Sequence, residues 1–393
     1  MNTLQRPAAI NPLTFIDRII ADLELTPTQY ENAKRSYEAV AEVLNKSNSP
    51  IRIYNPKIRP QGSMRIGTTI KPLEHDEFDL DMLCWLAILG KNVTPNEVYE
   101  WVWNALGQNE TYRKMRERRC RCIRINYAEA YRFHLDVTPA IPDWNRQSES
   151  LYVPDRERRM WCSTHPIGFA DTFFKPIAEK LPVLQRHLIE SERHFTANAA
   201  TEPLPAYGAF EERPLQRIVQ MMKHDRDKHY ADNPKLIPSS ILLTTITAHS
   251  YAAEVQTQAA SLLEFVHNVI DRLPNYIQCV QLPKGRQYIV VNPTNDSENF
   301  AEKWTEDHYN EFRAWHRKLV GWVTALQNTR GKGADVMLTE LSARLGKDRV
   351  IKAANSVGIE TRALQEAGKV RVDVTGTLGL IGTSIPKTVN FGT

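Results

Sequence analysis

Three aspartates stand where carboxylates are costly. In "IKPLEHDEFDLDMLCWL", residues 70–86, Asp79 and Asp81 interrupt an otherwise apolar run. In "RFHLDVTP", Asp136 does the same. Side chains two apart share one face of a strand, so Asp79 and Asp81 point together while Phe78, Leu80 and Met82 point away. In the second run Phe133, Leu135 and Val137 take one face and His134, Asp136 and Thr138 the other. Like charges on one strand face cost free energy unless a cation neutralises them. Hard carboxylate oxygens suit Mg²⁺, or Mn²⁺, better than zinc. If the two strands are neighbours, the three carboxylates can hold two divalent ions, the arrangement used for in-line phosphoryl or nucleotidyl transfer.

A phosphate-holding element lies upstream. In "QGSMRIGT", residues 61–68, Gly62 permits close backbone approach to a ligand, and Ser63 offers a hydroxyl and an amide to phosphate oxygens. A Gly-Ser turn alone carries little information. Gly-Ser, then D-x-D, then a further strand aspartate is far more specific.

The elements that must position these groups can be read on either side. Residues 27–46 read as one helix with Thr26 as N-cap. Residues 94–106 read as another, with Thr94 and Glu97 in capping-box positions. "CRCIRINY" and "YRFHLDVTPAI" alternate like strands. The expected class is α+β: a mixed sheet with helices against it over 1–164, a mainly helical domain over 165–375, and a flexible Gly- and Thr-rich tail over 376–393.

Composition narrows the classes. The chain has 393 residues, 42% hydrophobic and 24% charged, ordinary for a globular protein with a sizeable core. Its apolar runs are too short or too interrupted to span a bilayer. Lacking a signal-like N-terminal segment, it reads as cytoplasmic. Five cysteines argue against a disulfide framework. A net charge of +4 is too mild to imply nucleic-acid binding. Residues 112–127 are rich in Lys and Arg, either a basic surface for phosphates or a solvated helix end. Cys120, Cys122, Cys162 and His165 leave a zinc site open, against buried free thiols. Tyr152, Trp161 and Phe169 are either base-stacking or core aromatics.

Gly62-Ser63, Asp79-Leu80-Asp81 and Asp136 resemble the signature of the polymerase-β-like nucleotidyltransferases. "RPQGSMRIGTTIKP", "EFDLDMLCWL", "FHLDVTPAIP", "RPLQRIVQMMKHDRD", "PSSILLTTIT" and "NPTNDSENFAEKW" follow the order of the bacterial cGAS/DncV-like nucleotidyltransferases (CD-NTases) of CBASS antiphage systems, over roughly residues 20–325. The general impression is of clade D. The resemblance implies a polymerase-β-like core with a helical, oligoadenylate-synthase-like domain closing over the nucleotides. It implies Mg²⁺-dependent conversion of ATP and other NTPs into a cyclic oligonucleotide second messenger, an A-rich trinucleotide before a dinucleotide. Asp79, Asp81 and Asp136 would be the catalytic metal ligands and Gly62 and Ser63 would hold the donor triphosphate. Lys223, and Ser240 or else Ser239, match the family's lysine and following serine at the nucleotide; by pattern alone, Lys223 equally reads as a snorkelling lysine and the serines as caps. An E1-like ligase acting on Thr393, or a HORMA-type regulator, are the implied partners, and a nucleic-acid activator ranks low. Template-independent transfer to RNA 3′ ends is the alternative.

Overall fold

In the computed structural model of the protein, the described residues are 12–71, 78–88, 92–127, 133–145, 150–182, 213–283 and 285–366, with short pieces at 371–372, 378–379 and 383–384. The sheet is built from β1 (Lys57–Pro60), β2 (Phe78–Trp85), β3 (Arg116–Arg118), β4 (Ile123–Asn126) and β5 (Phe133–Pro142), in the order β1-β2-β5-β4-β3. A hairpin of β6 (Leu151–Asp155) and β7 (Met160–Thr164) continues from the far end of β5. Among the described strands only the β2–β5 pair is parallel, and its register sets Asp79 opposite His134 and Asp81 opposite Asp136.

The alternation seen in the sequence is what holds this pair. Phe78, Leu80, Met82 and Cys84 of β2 and Phe133, Leu135 and Val137 of β5 enter one apolar core. Helices α2 (Pro27–Asn45) and α4 (Pro95–Gly107) enter the same core through Tyr37, Val40, Val98 and Val102. Each begins with a capping box, Thr26 with Gln29 and Thr94 with Glu97, which satisfies backbone donors that a helix start leaves open. On the opposite face the carboxylates give way to Leu83 and Ala140, which pack with Leu151, Val153 and Ile167.

A five-residue helix, α3 (Gly62–Ile66), follows β1. Helix α5 (Glu110–Met115) precedes β3. After β7 the chain winds through α6 (Pro166–Gly168), a π-helical turn (Phe169–Phe174) and α7 (Lys175–Ala178). The helical half holds α8 (Pro214–His229), α9 (Ser240–Glu254), α10 (Leu262–Asp271), α11 (Glu306–Gln327), α12 (Ala334–Leu345) and α13 (Lys347–Glu366). Their apolar faces form a second core, which also takes Phe15, Ile16, Ile19 and Ile20 of α1 (Pro12–Leu23). Helix α1, at the start of the chain, thus shares its core with the helical half.

The helical half is not purely helical. It carries β8 (Gln278–Leu282) with β9 (Gly285–Ile289), and β10 (Val291–Asn292) with β11 (Asn295–Asn299). Residues 183–212, within the stretch expected to be mainly helical, lie outside the described residues. So does most of the 376–393 tail, of which β13 (Leu378–Gly379) and β14 (Thr383–Ser384) pair with β12 (Arg371–Val372). Among the described residues no helix is long and apolar enough to cross a membrane.

Candidate active site

The β2–β5 register gathers Asp79, Asp81 and Asp136 beside the start of α3. Gly62 has φ +64°, and a Cβ built on it would lie 2.1 Å from Asp81 Oδ2. The backbone thus comes as close to that carboxylate as glycine allows. The Gln61 amide donates to the Asp81 carbonyl at 3.0 Å, fixing the turn to β2. Ser63 Oγ is 3.0 Å from Thr69 Oγ1, and the Ser63 carbonyl accepts the Thr68 amide at 2.9 Å.

Asp79, His134 and Asp136 each offer a ligand atom within 4.8 Å of the others. His134 Nε2 pairs with Asp79 Oδ1. Arg124, on β4 and opposite Asp136 in register, donates from Nε to Oδ1 at 2.8 Å and from Nη2 to Oδ2 at 2.7 Å. The same Nη2 lies 3.5 Å from Asp79 Oδ1. Neither His134 nor Arg124 stands among the sequence-derived candidates. His134 shares the face of Asp136 two residues away, a signal that was there to use. The reach of Arg124 depends on a strand register that no local pattern reveals.

The electrostatics fit a divalent cation. Burial, with the neighbouring charges of Asp79 and Asp136, pushes Asp81 up to about 7. Burial also pushes Asp79 upward, but its hydrogen bond to His134 and the charges of His134 and Arg124 outweigh that and hold it below the usual carboxylate range. The charges of Asp79 and Asp136 thus repel that of Asp81 in spite of Lys223 and His134 nearby. A bound divalent ion would relieve that repulsion, and hard carboxylate oxygens are its preferred donors.

The helical half supplies Lys223 from the middle of α8. It is buried, and its Nζ donates to the Thr68 carbonyl at 3.1 Å, in the loop that follows Gly62-Ser63. Burial and the nearby Arg226 lower Lys223 to about 8, while Asp81 and Asp79 pull it back up. Gln220 Nε2, one turn earlier, donates to the Thr69 carbonyl at 3.0 Å. The two candidate serines part company. Ser239 is the N-cap of α9, its Oγ accepting the Leu242 amide at 3.4 Å. Ser240 Oγ accepts from Arg226 Nη1 at 3.1 Å and so faces the helix that carries Lys223.

Other sequence candidates are engaged elsewhere. Cys120 and Cys162 both donate to Asp155, at 3.2 and 3.8 Å, and His165 Nδ1 is 3.1 Å from the Thr294 carbonyl. In the basic stretch, Arg116 and Arg118 stack on Trp103, Arg118 pairs with Glu100, and Arg121 pairs with Asp155. Those charges are used within the fold. Tyr152 and Trp161 pack with Trp144 against the sheet core, and Phe169 is buried in the helical core.

Comparison with known proteins agrees with this geometry. Residues 14–175 match the Second Messenger Oligonucleotide or Dinucleotide Synthetase domain. A c-di-GMP synthase of Roseivirga ehrenbergii is 31% identical over 332 residues, covering 84% of this chain and 83% of the relative. The cyclic dinucleotide synthase CdnG of Bradyrhizobium diazoefficiens is 26% identical over 348 residues, covering 83% of this chain and 78% of that protein. The CdnG structure in complex with GTP superposes with a TM-score of 0.64 at 21% identity, over 89% of this chain and 99% of that one. The CdnC:HORMA-deltaN complex of E. coli MS115-1 gives 0.60 at 12% identity, over 86% of this chain and 97% of that one. With carboxylates, Gly-Ser turn and helical half arranged as described, the chain belongs to the second messenger oligonucleotide or dinucleotide synthetases, the cGAS/DncV-like nucleotidyltransferases.

Proposed function

We propose that the protein joins two nucleoside triphosphates into a cyclic dinucleotide that contains guanine, releasing pyrophosphate. The observation that carries this is the parallel β2–β5 register, which sets Asp81 opposite Asp136 within reach of the Gly62-Ser63 turn. The curated relatives make dinucleotides by name, one of them c-di-GMP. They favour that product over the A-rich trinucleotide that the clade D impression suggests.

In this reading Gly62 and Ser63 cradle the donor triphosphate, and Lys223 meets its charge from the other wall. Asp79, Asp81 and Asp136 hold Mg²⁺, with His134 steadying Asp79. When bound, the cation neutralises charge that develops on the transferring phosphate. Asp136 accepts the proton of the attacking ribose hydroxyl. Arg124 uses one acceptor site on each of its oxygens, which leaves others available. Ser240 completes the wall through Arg226. Cytoplasmic signalling in antiphage defence is the role this product class suits, with a HORMA-type or E1-like protein as partner. The E. coli CdnC complex with a HORMA protein supports the former.

The test is incubation with all four NTPs and Mg²⁺, phosphatase treatment and mass spectrometry, beside Asp79→Asn. A phosphatase-resistant product with the mass of a guanine-containing cyclic dinucleotide, absent in the variant, is the expected result. A ladder on labelled RNA with no cyclic product would overturn it in favour of 3′-end transfer.

A further inference from the structure

A second polar cavity, of about 270 Å³, lies between α1 and α13. None of its walls belongs to the carboxylate site. Among the described residues, Arg18, Arg349 and Lys352 line it with Ser356, and Asp22 is the acidic residue on its wall. Asp22 Oδ1 is taken by Lys352. The Asp22 carbonyl accepts Lys71 Nζ at 2.8 Å, which brings a fourth cation to the rim.

Arg349 is the centre of the imbalance. Its Nη1 lies 2.9 Å from His224 Nε2 on α8. Burial, Arg349 and Lys228 lower His224 to about 4, so this contact sets a guanidinium against a neutral imidazole. Lys71 is lowered by burial, with Lys352 and Arg349 adding to that against Asp22 and Glu24. Lys228 is lowered by burial, with Arg349 and Arg344 adding to that against Asp225. Arg349 thus acts on His224, Lys71 and Lys228 alike, with Asp22, Glu24 and Asp225 as the opposing charges. Cations held this close repel one another, and an oxyanion between them would relieve that repulsion.

From the lining residues, their charge balance and the room available, we infer that this cavity binds a small multivalent oxyanion. Arg349 presents a planar fork suited to two oxygens of one phosphate, Lys352 a point charge and Ser356 a hydroxyl donor. The volume is many times that of one water, so it admits pyrophosphate or an anion of similar size.

Calorimetric titration of the full chain with pyrophosphate, in EDTA so that the carboxylates hold no metal, tests this. Citrate serves as the carboxylate counterpart. Wild type should bind pyrophosphate, and both Lys352→Glu and Arg349→Gln should weaken it at least tenfold, while Lys223→Met leaves it unchanged. Lys352 is largely exposed, so its variant keeps the fold even if loss of the His224 contact disturbs Arg349→Gln. Citrate binding with the same variant pattern supports a general oxyanion site, and pyrophosphate alone supports a phosphate-selective one. No binding, or binding lost in Lys223→Met and kept in Lys352→Glu, overturns the proposal; the latter places the anion in the nucleotide cleft.

Discussion

The Arg124 guanidinium holds both oxygens of Asp136 across the β4–β5 pair, at 2.8 and 2.7 Å. A fork of this kind is among the stronger charge-assisted contacts. It also places a positive charge where a divalent cation would draw on the same carboxylate. Arg124→Gln should therefore act in opposite directions on two measurements. In EDTA the variant should melt lower, by a stability loss of about 1–3 kcal/mol, because partly buried carboxylates lose their counter-charge. Its affinity for Mg²⁺ or Mn²⁺ should rise, since no guanidinium competes. A metal affinity that falls along with the melting temperature would show that Arg124 supports the metal site and does not compete with it.

Gly62 is closely confined by Asp81. Its positive φ and the 2.1 Å separation of a built Cβ from Asp81 Oδ2 mean that no side chain fits without moving the carboxylate. Gly62→Ala should cost about 1–2 kcal/mol from backbone strain. It should lower kcat by roughly a hundredfold, because a displacement near 1 Å at a reacting centre has that effect. Circular dichroism and steady-state kinetics separate the two. Near-normal kcat in a folded variant would mean that Asp81 has more freedom than the packing indicates.

Asp81 links the metal site to pH. Its folded value of about 7 lies above the ordinary carboxylate value of 3.8. The folded chain therefore binds this proton more tightly than the unfolded chain does. The stabilisation is fully present below about pH 4 and is lost as pH rises through about 7. Metal-free protein should melt lower at pH 8 than at pH 6, and Asp81→Asn should largely remove that difference. Mg²⁺ should raise the melting temperature of wild type most at pH 8, where the ligand is ionised, and leave Asp81→Asn nearly unchanged. An equal Mg²⁺ shift in both proteins would exclude Asp81 as a ligand.

Much of this site could be read from the sequence because its signals are local. Thr26 and Thr94 sit one residue before their helices with Gln29 and Glu97 three on, and the period of two around Asp79, Asp81 and Asp136 assigns faces without a fold. What stayed hidden depends on distant partners. Cys120 and Cys122 alternate like strand residues, yet strand β4 begins only at Ile123, since Tyr99 Oη takes the Arg119 and Cys122 carbonyls as the chain bends. The β8–β9 hairpin is exposed along most of its length, so its pattern shows no clean buried face. Helix α1 looks like any amphipathic helix, and only the assembled core shows that it belongs with α8 and α13. Ser239 and Ser240 are adjacent and chemically alike. The helix start decides between them, giving one the cap and the other Arg226.

Lys223 offers the last test, one in which stability and binding part. Its folded value of about 8 lies below the ordinary lysine value of 10.5, so the fold prefers the neutral amine. At pH 7 the group is charged and buried, and that cost diminishes as pH rises through about 8 toward 10.5. Lys223→Met keeps an unbranched side chain, one atom shorter, and removes the charge. The metal-free variant should be as stable as wild type at pH 7 or more so, by up to about 1–2 kcal/mol, despite losing the bond to the Thr68 carbonyl. A bound triphosphate would supply the missing counter-charge, so the variant should bind NTP roughly 10–100-fold more weakly, as befits one charge-assisted contact. Thermal melts with and without GTP and Mg²⁺ read both effects. A variant that loses stability and keeps its GTP affinity would make Lys223 a tie between α8 and the Thr68 loop, with no part in holding the nucleotide.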